Sequence, residues 1–147
     1  LTRVQQAMNN HLQPEVLTDY KWNCPKGCGH AEVSKTTDVS SAPVVLWISL
    51  KRWSWCYRQQ EYICQWTHDV EPDANIQVFE KTYALVSFVV HHGESTRRGH
   101  YTACCRVETP TGSEWYHKDD DVVAALAGPQ DREVWKTQGS DSKTYML

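Results

Sequence analysis

The sequence has few of the features that would place a protein in a membrane or on nucleic acid. Its longest apolar runs, Val44 to Ile48 and Val122 to Leu126, are far shorter than the roughly 20 residues that span a bilayer. It has no basic surplus, because 15 Lys and Arg residues face 18 Asp and Glu residues and leave a formal net charge of −3. A net negative charge provides no general attraction to nucleic acid. The sequence therefore predicts neither a membrane span nor a nucleic-acid partner.

The chain also lacks the charged and then apolar leader of a secreted protein, and it opens on Leu1 rather than Met. Six cysteines could indicate a disulfide scaffold, but such scaffolds are typical of short secreted chains with little core. Here 40% of the 147 residues are apolar, enough to build a core. We therefore expect reduced thiols in an intracellular protein of the cytoplasm or nucleus, and a chain that is processed or belongs to a longer protein.

Phenylalanine is scarce, with two residues against seven Trp and seven Tyr. Large flat side chains suit a pleated, half-buried surface, so the composition favours a strand-rich fold. One helix is predicted at residues 1–12, where apolar residues recur every three or four positions. Apolar or alternating runs predict strands at 44–50, 51–66, 83–91, 100–107, 114–117 and 144–147, with polar loops at 69–75 and 93–99.

His100 is the first candidate for chemistry, because it follows Gly99 at the start of a predicted strand. A turn at 109–113 would bring the next strand back, so that Asp119 and Asp120 arrive near that histidine. A histidine can act as a general base when a carboxylate holds its ring in one tautomer. The spacing permits this pairing, although the same residues would also suit a loop histidine beside a solvated acidic turn.

No cysteine in the chain is well placed to complete a catalytic set with His100. Cys104 would lie on the same face of the same strand, four residues or about 13 Å away, and Cys105 would face the other side. Cys56 and Cys64 lie among aromatic residues, with no helix N-terminus nearby to lower a thiol pKa. We interpret the last two as packing residues.

Cys24 and Cys28 form a C-x-x-x-C pair within a turn rich in Gly and Pro, and His30 follows two residues later. Thiolates on a tight turn are good zinc ligands, but a closed structural site needs four ligands. A zinc site here would therefore need ligands from outside this chain. The alternative is a turn with incidental cysteines.

Taken in order, these segments resemble the second half of a ubiquitin-specific protease domain, a papain-like cysteine deubiquitinase. The resemblance covers the whole chain. It is carried by the following segments: Tyr20-x-x-x-Cys24-x-x-x-Cys28, Pro43-Val-Val-Leu to Leu50-Lys-Arg-Trp53, Tyr83-x-Leu85 to His91-His-Gly93, Gly99-His-Tyr-Thr-Ala103, Trp115-Tyr116 to Asp119-Asp120, and Tyr145-Met-Leu147.

The resemblance implies an α+β, strand-dominated fold. Residues 1–42 would belong to the fingers, with a cysteine knuckle, and residues 43–147 to an antiparallel palm sheet that carries the histidine and the acids. The domain would be incomplete in this chain. Cys24 and Cys28 would supply half of a structural zinc site, and the chemistry itself would require no cofactor.

The resemblance also implies site residues. His100 would be the general base, Asp119 would hold its ring, and Asp120 could assist or take that role. Gly99 and Tyr101 would lie beside the tail of ubiquitin, the expected partner. The family's nucleophilic cysteine lies before the segment matched here, so this chain alone is expected to be inactive. Two other classes stay open: a catalytically inactive ubiquitin- or protein-binding module, and a zinc-stabilised interaction module.

Overall fold

The computed structural model describes residues 2–18, 22, 25–26, 33–64, 70–95, 98–129, 131 and 142–146. These residues are dominated by strands, as the composition predicts, and no helix among them is long and apolar enough to cross a membrane. In chain order the elements are β1 (Thr2–Arg3), α1 (Val4–His11), β2 (Glu15–Val16), β3 (Ser34–Lys35), β4 (Trp53–Cys56), β5 (Glu61–Cys64), β6 (Val70–Glu71), β7 (Asn75–Val78), β8 (Lys81–Ala84), β9 (Ser87–Ser95), β10 (Arg98–Thr109), β11 (Gly112–Asp119), β12 (Val122–Leu126) and β13 (Ser142–Met146).

The main unit is a five-stranded sheet with the strand order β12-β11-β10-β9-β13. Every neighbouring pair in it is antiparallel. Strands β9 to β12 are consecutive in sequence and lie side by side, so successive hairpins build most of the sheet. The antiparallel sheet that the resemblance implies is confirmed.

The hairpin of β10 and β11 has a tight turn that fixes its register. Thr109 pairs with Gly112, so only two residues lie between the strands. Gly112 has a φ of +137°, which glycine adopts without steric cost, and the Thr109 hydroxyl donates to its carbonyl at 2.6 Å. This register places Lys118 opposite Ala103, so Asp119 ends its strand near the start of β10.

The core lies on one face of this sheet. β9 and β10 contribute Phe88, Val90 and Cys104, and each is no more than 1% exposed. Side chains alternate between the two faces of a strand, so His92 and His100 lie on the same face as these three. The partly buried residues packed on the core are Leu85, Trp115 and Leu126. The polar end of the sheet is therefore continuous with its apolar core.

Helix α1, which the apolar spacing predicts, is anchored from another part of the chain. It has no side-chain cap of its own, but the carboxylate of Asp73 accepts the Gln5 backbone N–H at 2.9 Å. The Gln5 side chain accepts from the backbone N–H of Gln77 at 2.6 Å and donates to its carbonyl at 3.1 Å. With Val4 only 2% exposed, these contacts hold the helix on β7.

The central strand predicted at 44–50 is wrong. This segment runs through bends, with only an isolated bridge at Ser49, and Val44, Val45 and Trp47 are 92%, 61% and 73% exposed. A β-branched run becomes a strand only where another strand offers backbone partners, and within the described ranges no strand pairs along it. The neighbouring segment 51–66, expected as one strand or arm, contains the β4–β5 hairpin instead.

The polar loop predicted at 93–99 is also largely wrong, because β9 runs to Ser95 and β10 begins at Arg98. Gly93 suggested a loop, but in the structure it allows β9 and β10 to approach each other closely. It has a φ of +137°, and a Cβ placed on it would lie 3.0 Å from the Gly99 Cα. The pairing becomes irregular between Arg98 and His100, which marks the place where the hairpin bends.

Candidate active site

His100 and Asp119 meet at one end of the sheet. The His100 Nε2 atom is hydrogen-bonded to a carboxylate oxygen of Asp119, although the two residues are separated by a whole hairpin in sequence. Their side chains are 32% and 30% exposed, so the pair is open to solvent on one side. Because Nε2 is engaged by the acid, Nδ1 is the ring nitrogen left to exchange a proton with a reacting group.

The surroundings favour the charged form of His100. The hydrogen bond to Asp119 raises the pKa of His100 above its usual range, and partial burial lowers it by less. The negative charges of Asp119 and Asp120 raise it further. A histidine in this setting is suited to hold a proton as an imidazolium beside an anion and to return it later.

Asp120 is close to the pair but differs from Asp119 in geometry. Carboxylate oxygens of both acids and a ring nitrogen of His100 lie within 4.8 Å of one another. Asp120 is exposed and has a φ of +48°, in the left-handed region, at the turn into β12. The hydrogen bond to the ring is made by Asp119, and Asp120 contributes charge from the turn.

Gly99, directly before His100, occupies a position with no room for a side chain. A Cβ at Gly99 would lie 2.2 Å from His91 Nε2 and 2.8 Å from the carbonyl oxygen of His92. Both distances are far inside van der Waals contact. The absence of a side chain lets the His91 ring lie directly against the strand that carries His100.

Tyr101 lies on the other face of β10 from His100, because successive side chains alternate. It is 51% exposed, and its ring is 4.7 Å from the ring of His91. His91 in turn makes an edge-to-face contact with Trp53 of β4 at 5.7 Å. The structure therefore joins Tyr101 to an aromatic group behind the histidine rather than to the His100 side chain, and its role beside the ubiquitin tail stays a prediction.

Two residues of the site were not expected from the sequence, His92 and Thr102. His92 is 4% exposed and Thr102 is 3% exposed, and His92 Nε2 and the Thr102 hydroxyl oxygen are 2.9 Å apart. The ring of His92 stacks with that of His100 at 6.2 Å between centroids. The pairing of His100 with His92 in the strand register places the two rings together. Alternation of side chains along both strands would have predicted this contact once that register was known.

The nearest thiol on this face is unsuited to act as a nucleophile. Burial raises the pKa of Cys104 to about 12, so it is protonated at neutral pH, and its strand neighbour on β11 is His117 rather than the catalytic candidates. Cys105 points to the opposite face. Cys24 and Cys28, the expected zinc ligands, lie outside the described residues.

Comparison with known proteins identifies a family. The family model for ubiquitin carboxyl-terminal hydrolase matches residues 2–147. Ubiquitin carboxyl-terminal hydrolase 36 of Drosophila simulans is 33% identical over 84% of this chain and 13% of its own length. Ubiquitin carboxyl-terminal hydrolase 12 of Salmo salar is 26% identical over 97% of this chain and 40% of its own length.

Solved structures of the SAGA DUB module share the fold. The yeast module has a TM-score of 0.73 at 22% identity, and the match covers 99% of this chain and 32% of that one. The module bound to ubiquitin aldehyde has a TM-score of 0.69 at 21% identity with the same coverage. The chain thus spans less than half the length of these relatives. With its antiparallel sheet and the family match over residues 2–147, the chain belongs to the ubiquitin carboxyl-terminal hydrolase family.

Proposed function

We propose that this chain supplies the general base, His100, and the acid that orients it, Asp119, to a thiol-dependent hydrolase. The bond cleaved is the one that follows the C-terminal glycine of ubiquitin. The observation that carries the proposal is the hydrogen bond between His100 Nε2 and Asp119 at the open end of the sheet. Membership of the ubiquitin carboxyl-terminal hydrolase family supports the substrate class.

In this reaction His100 transfers two protons in turn, one from the thiol to the leaving amine and one from water to the sulfur. It first takes the proton of a cysteine thiol at Nδ1, and the thiolate forms a bond to the glycine carbonyl carbon. The carbon–nitrogen bond then breaks, and the imidazolium gives its proton to the leaving amine. Next, water gives a proton to His100 as its oxygen attacks the thioester. The carbon–sulfur bond breaks, and the sulfur is protonated again. Asp119 stabilises the imidazolium at each of the charged stages.

The nucleophilic cysteine in this proposal lies outside the chain. Support comes from Cys104, the thiol on the same face as His100, because burial raises its pKa to about 12. A thiol of this kind is not a nucleophile at neutral pH, since the thiolate is the reactive form. The family resemblance likewise implies that residues 1–147 alone are inactive. Activity is therefore tested with the full-length protein.

The two acids are expected to differ in effect when each is changed to asparagine. Asp119→Asn should lower kcat/KM by at least about 100-fold, because the carboxylate that orients and stabilises the imidazolium is lost. The acid also raises the pKa of His100, so the basic limb of the pH profile should move to lower pH. Hydrolysis of a fluorogenic ubiquitin C-terminal amide over a range of pH measures both effects.

Asp120→Asn is the matched control, since it removes one charge from the adjacent turn but leaves the hydrogen bond. It should lower kcat/KM by less than about fivefold, as expected for an exposed charge that acts through solvent. If Asp120→Asn lowers kcat/KM more than Asp119→Asn does, Asp120 rather than Asp119 orients His100.

Several expectations from the sequence stay predictions. They include zinc binding by Cys24 and Cys28 with ligands from outside the chain, and contact of Gly99 and Tyr101 with the ubiquitin tail. They also include the boundary between fingers and palm at residues 42 and 43, and an intracellular location.

A further inference from the structure

His92 is a buried residue that pairs directly with the proposed base, His100, across two neighbouring strands. It lies on β9 directly opposite His100 on β10, and directly opposed residues of an antiparallel pair project to the same face of the sheet. The planes of the two rings are inclined by only 29°, with centroids 6.2 Å apart. The ring of His92 therefore lies beside the ring of His100 in a near-parallel orientation, while Asp119 holds the Nε2 atom of His100.

Thr102 fixes the position of the His92 ring. Its hydroxyl oxygen lies 2.9 Å from His92 Nε2, and Thr102 follows His100 by two residues on the same strand and face. Both partners of this hydrogen bond are buried, at 4% and 3% exposure. An internal hydrogen bond between two buried groups is costly to break, because water cannot readily replace it there. The ring of His92 is thus a fixed surface rather than a mobile one.

Burial and the neighbouring charges together favour the neutral form of the His92 ring. Burial lowers the pKa of His92, and the nearby His100 lowers it further. From the other strands, Asp119 on β11 raises the pKa and His117 on β11 lowers it, and His91 on β9 itself also lowers it. On the far side, β13 places Ser142, which does not titrate, opposite His92 in register. A neutral ring can lie against an imidazolium without the repulsion that a second cation would bring.

We propose that His92 is a positioning residue for the proposed reaction, whose buried, Thr102-anchored ring keeps the His100 ring against Asp119. This inference rests on the proposed function of His100. The fixed ring closes off the rotamers in which His100 would turn away from the acid. Without it, His100 would spend part of its time away from Asp119, and both the orientation of Nδ1 and the stabilisation of the imidazolium would suffer.

Three substitutions at His92 separate the ring from its hydrogen bond. His92→Ala removes both, His92→Gln keeps a group that can bond to Thr102, and His92→Phe keeps an aromatic face beside His100. We expect His92→Ala and His92→Gln to lower kcat by roughly tenfold or more with KM changed less than about twofold, as misorientation of a reacting group does. His92→Phe should retain most of the activity of the wild type, because its buried surroundings still hold an aromatic ring against His100 although the hydrogen bond to Thr102 is lost.

The pH profile gives a readout that loss of stability does not mimic. In a thiolate–imidazolium pair, the basic limb of kcat/KM reports loss of the proton that the His100 imidazolium holds in the free enzyme. Release of His100 from Asp119 lowers that pKa, so His92→Ala and His92→Gln should move the limb to lower pH and His92→Phe should not. Phe88→Leu serves as a control, because it disturbs the buried core of the same sheet away from His100. It should lower the melting temperature without moving the limb.

The same variants also allow failure of the inference to be distinguished from failure of the proposed function. If the wild-type protein does not hydrolyse a ubiquitin C-terminal amide, the proposed function fails. The pKa of His100, measured by NMR with histidine labelled at Cε1, then decides the inference. A lower pKa in His92→Ala and His92→Gln but not in His92→Phe supports it. An unchanged pKa of His100, or an unchanged basic limb, in folded His92→Gln overturns the inference. So does a His92→Phe variant that is as impaired as His92→Gln. The Gln and Phe variants decide the question even if His92→Ala does not fold.

Discussion

His100→Ala is expected to lower the hydrolysis of a fluorogenic ubiquitin amide by roughly 1,000-fold or more, since loss of a general base removes proton transfer at each step. Binding of ubiquitin should change by less than about twofold, because only the reacting end of the site is altered. Turnover in the full-length protein and binding by an optical biosensor measure the two effects separately. A loss confined to kcat is the signature of a residue that acts in the transition state.

His11→Ala provides the matched control for this substitution. His11 is an exposed histidine in the last turn of α1, far in sequence from the hairpins that form the site. It should leave turnover unchanged. Hydrolysis by His100→Ala at the rate of His11→Ala would show that another residue is the base, and equal losses of binding and turnover would show that His100 is structural.

Gly99→Ala is expected to lower both turnover and stability. The added Cβ would lie 2.2 Å from His91 Nε2 and 2.8 Å from the His92 carbonyl, and a backbone atom cannot move aside as a flexible side chain can. The strand must therefore shift by a fraction of an ångström or more, and it carries His100 with it. We expect kcat to fall by roughly 100-fold, the effect of a displacement near 1 Å in a reacting group. The free energy of unfolding should fall by about 1–3 kcal/mol, as in other overpacked sites.

Gly128→Ala is the corresponding control, because a Cβ at Gly128 would meet no atom within 4 Å. Its kinetic constants and melting temperature should match those of the wild type. If Gly99→Ala kept wild-type turnover, the close packing of His91 against the strand would have no part in the site. A loss of stability in Gly99→Ala without a loss of kcat would show that this packing stabilises the fold but does not position His100.

The pairing of His100 with an acid could be predicted from the sequence, because it depends on short-range rules. Alternation in β10 and β11 and turn residues between them fix a hairpin, and a hairpin brings its two open ends together. The choice between Asp119 and Asp120 could not be made that way. It depends on the strand ending at Asp119 and on the left-handed backbone of Asp120, which tertiary contacts decide.

The contact of His92 with His100 could not be predicted from the sequence, for a related reason. It depends on the lateral register of β9 with β10, and that register shifts between Arg98 and His100. A shift of one residue would send His92 to the opposite face. The glycines suggested a loop at this place, whereas Gly93 and Gly99 serve to bring two strands close together.

The strand expected at 44–50 shows the limit of composition as a guide. Val44, Val45 and Trp47 have high strand propensity, but propensity describes how a residue fits a sheet that already exists. The high exposure of these residues reflects a segment that lies outside the sheets formed by the described residues. In contrast, runs that find partners within the chain, such as those of β10 and β11, form strands where their patterns predict them.

The central claim is that His100 and Asp119 serve a nucleophilic cysteine that residues 1–147 do not contain. The most direct measurement treats the full-length protein with ubiquitin that carries a thiol-reactive C-terminus and maps the modified cysteine by mass spectrometry. We predict a single modified cysteine outside residues 1–147, with labelling slowed strongly in His100→Ala and unchanged in His11→Ala. Modification of Cys104 or another cysteine of this chain, or labelling at the same rate in His100→Ala, would contradict the claim.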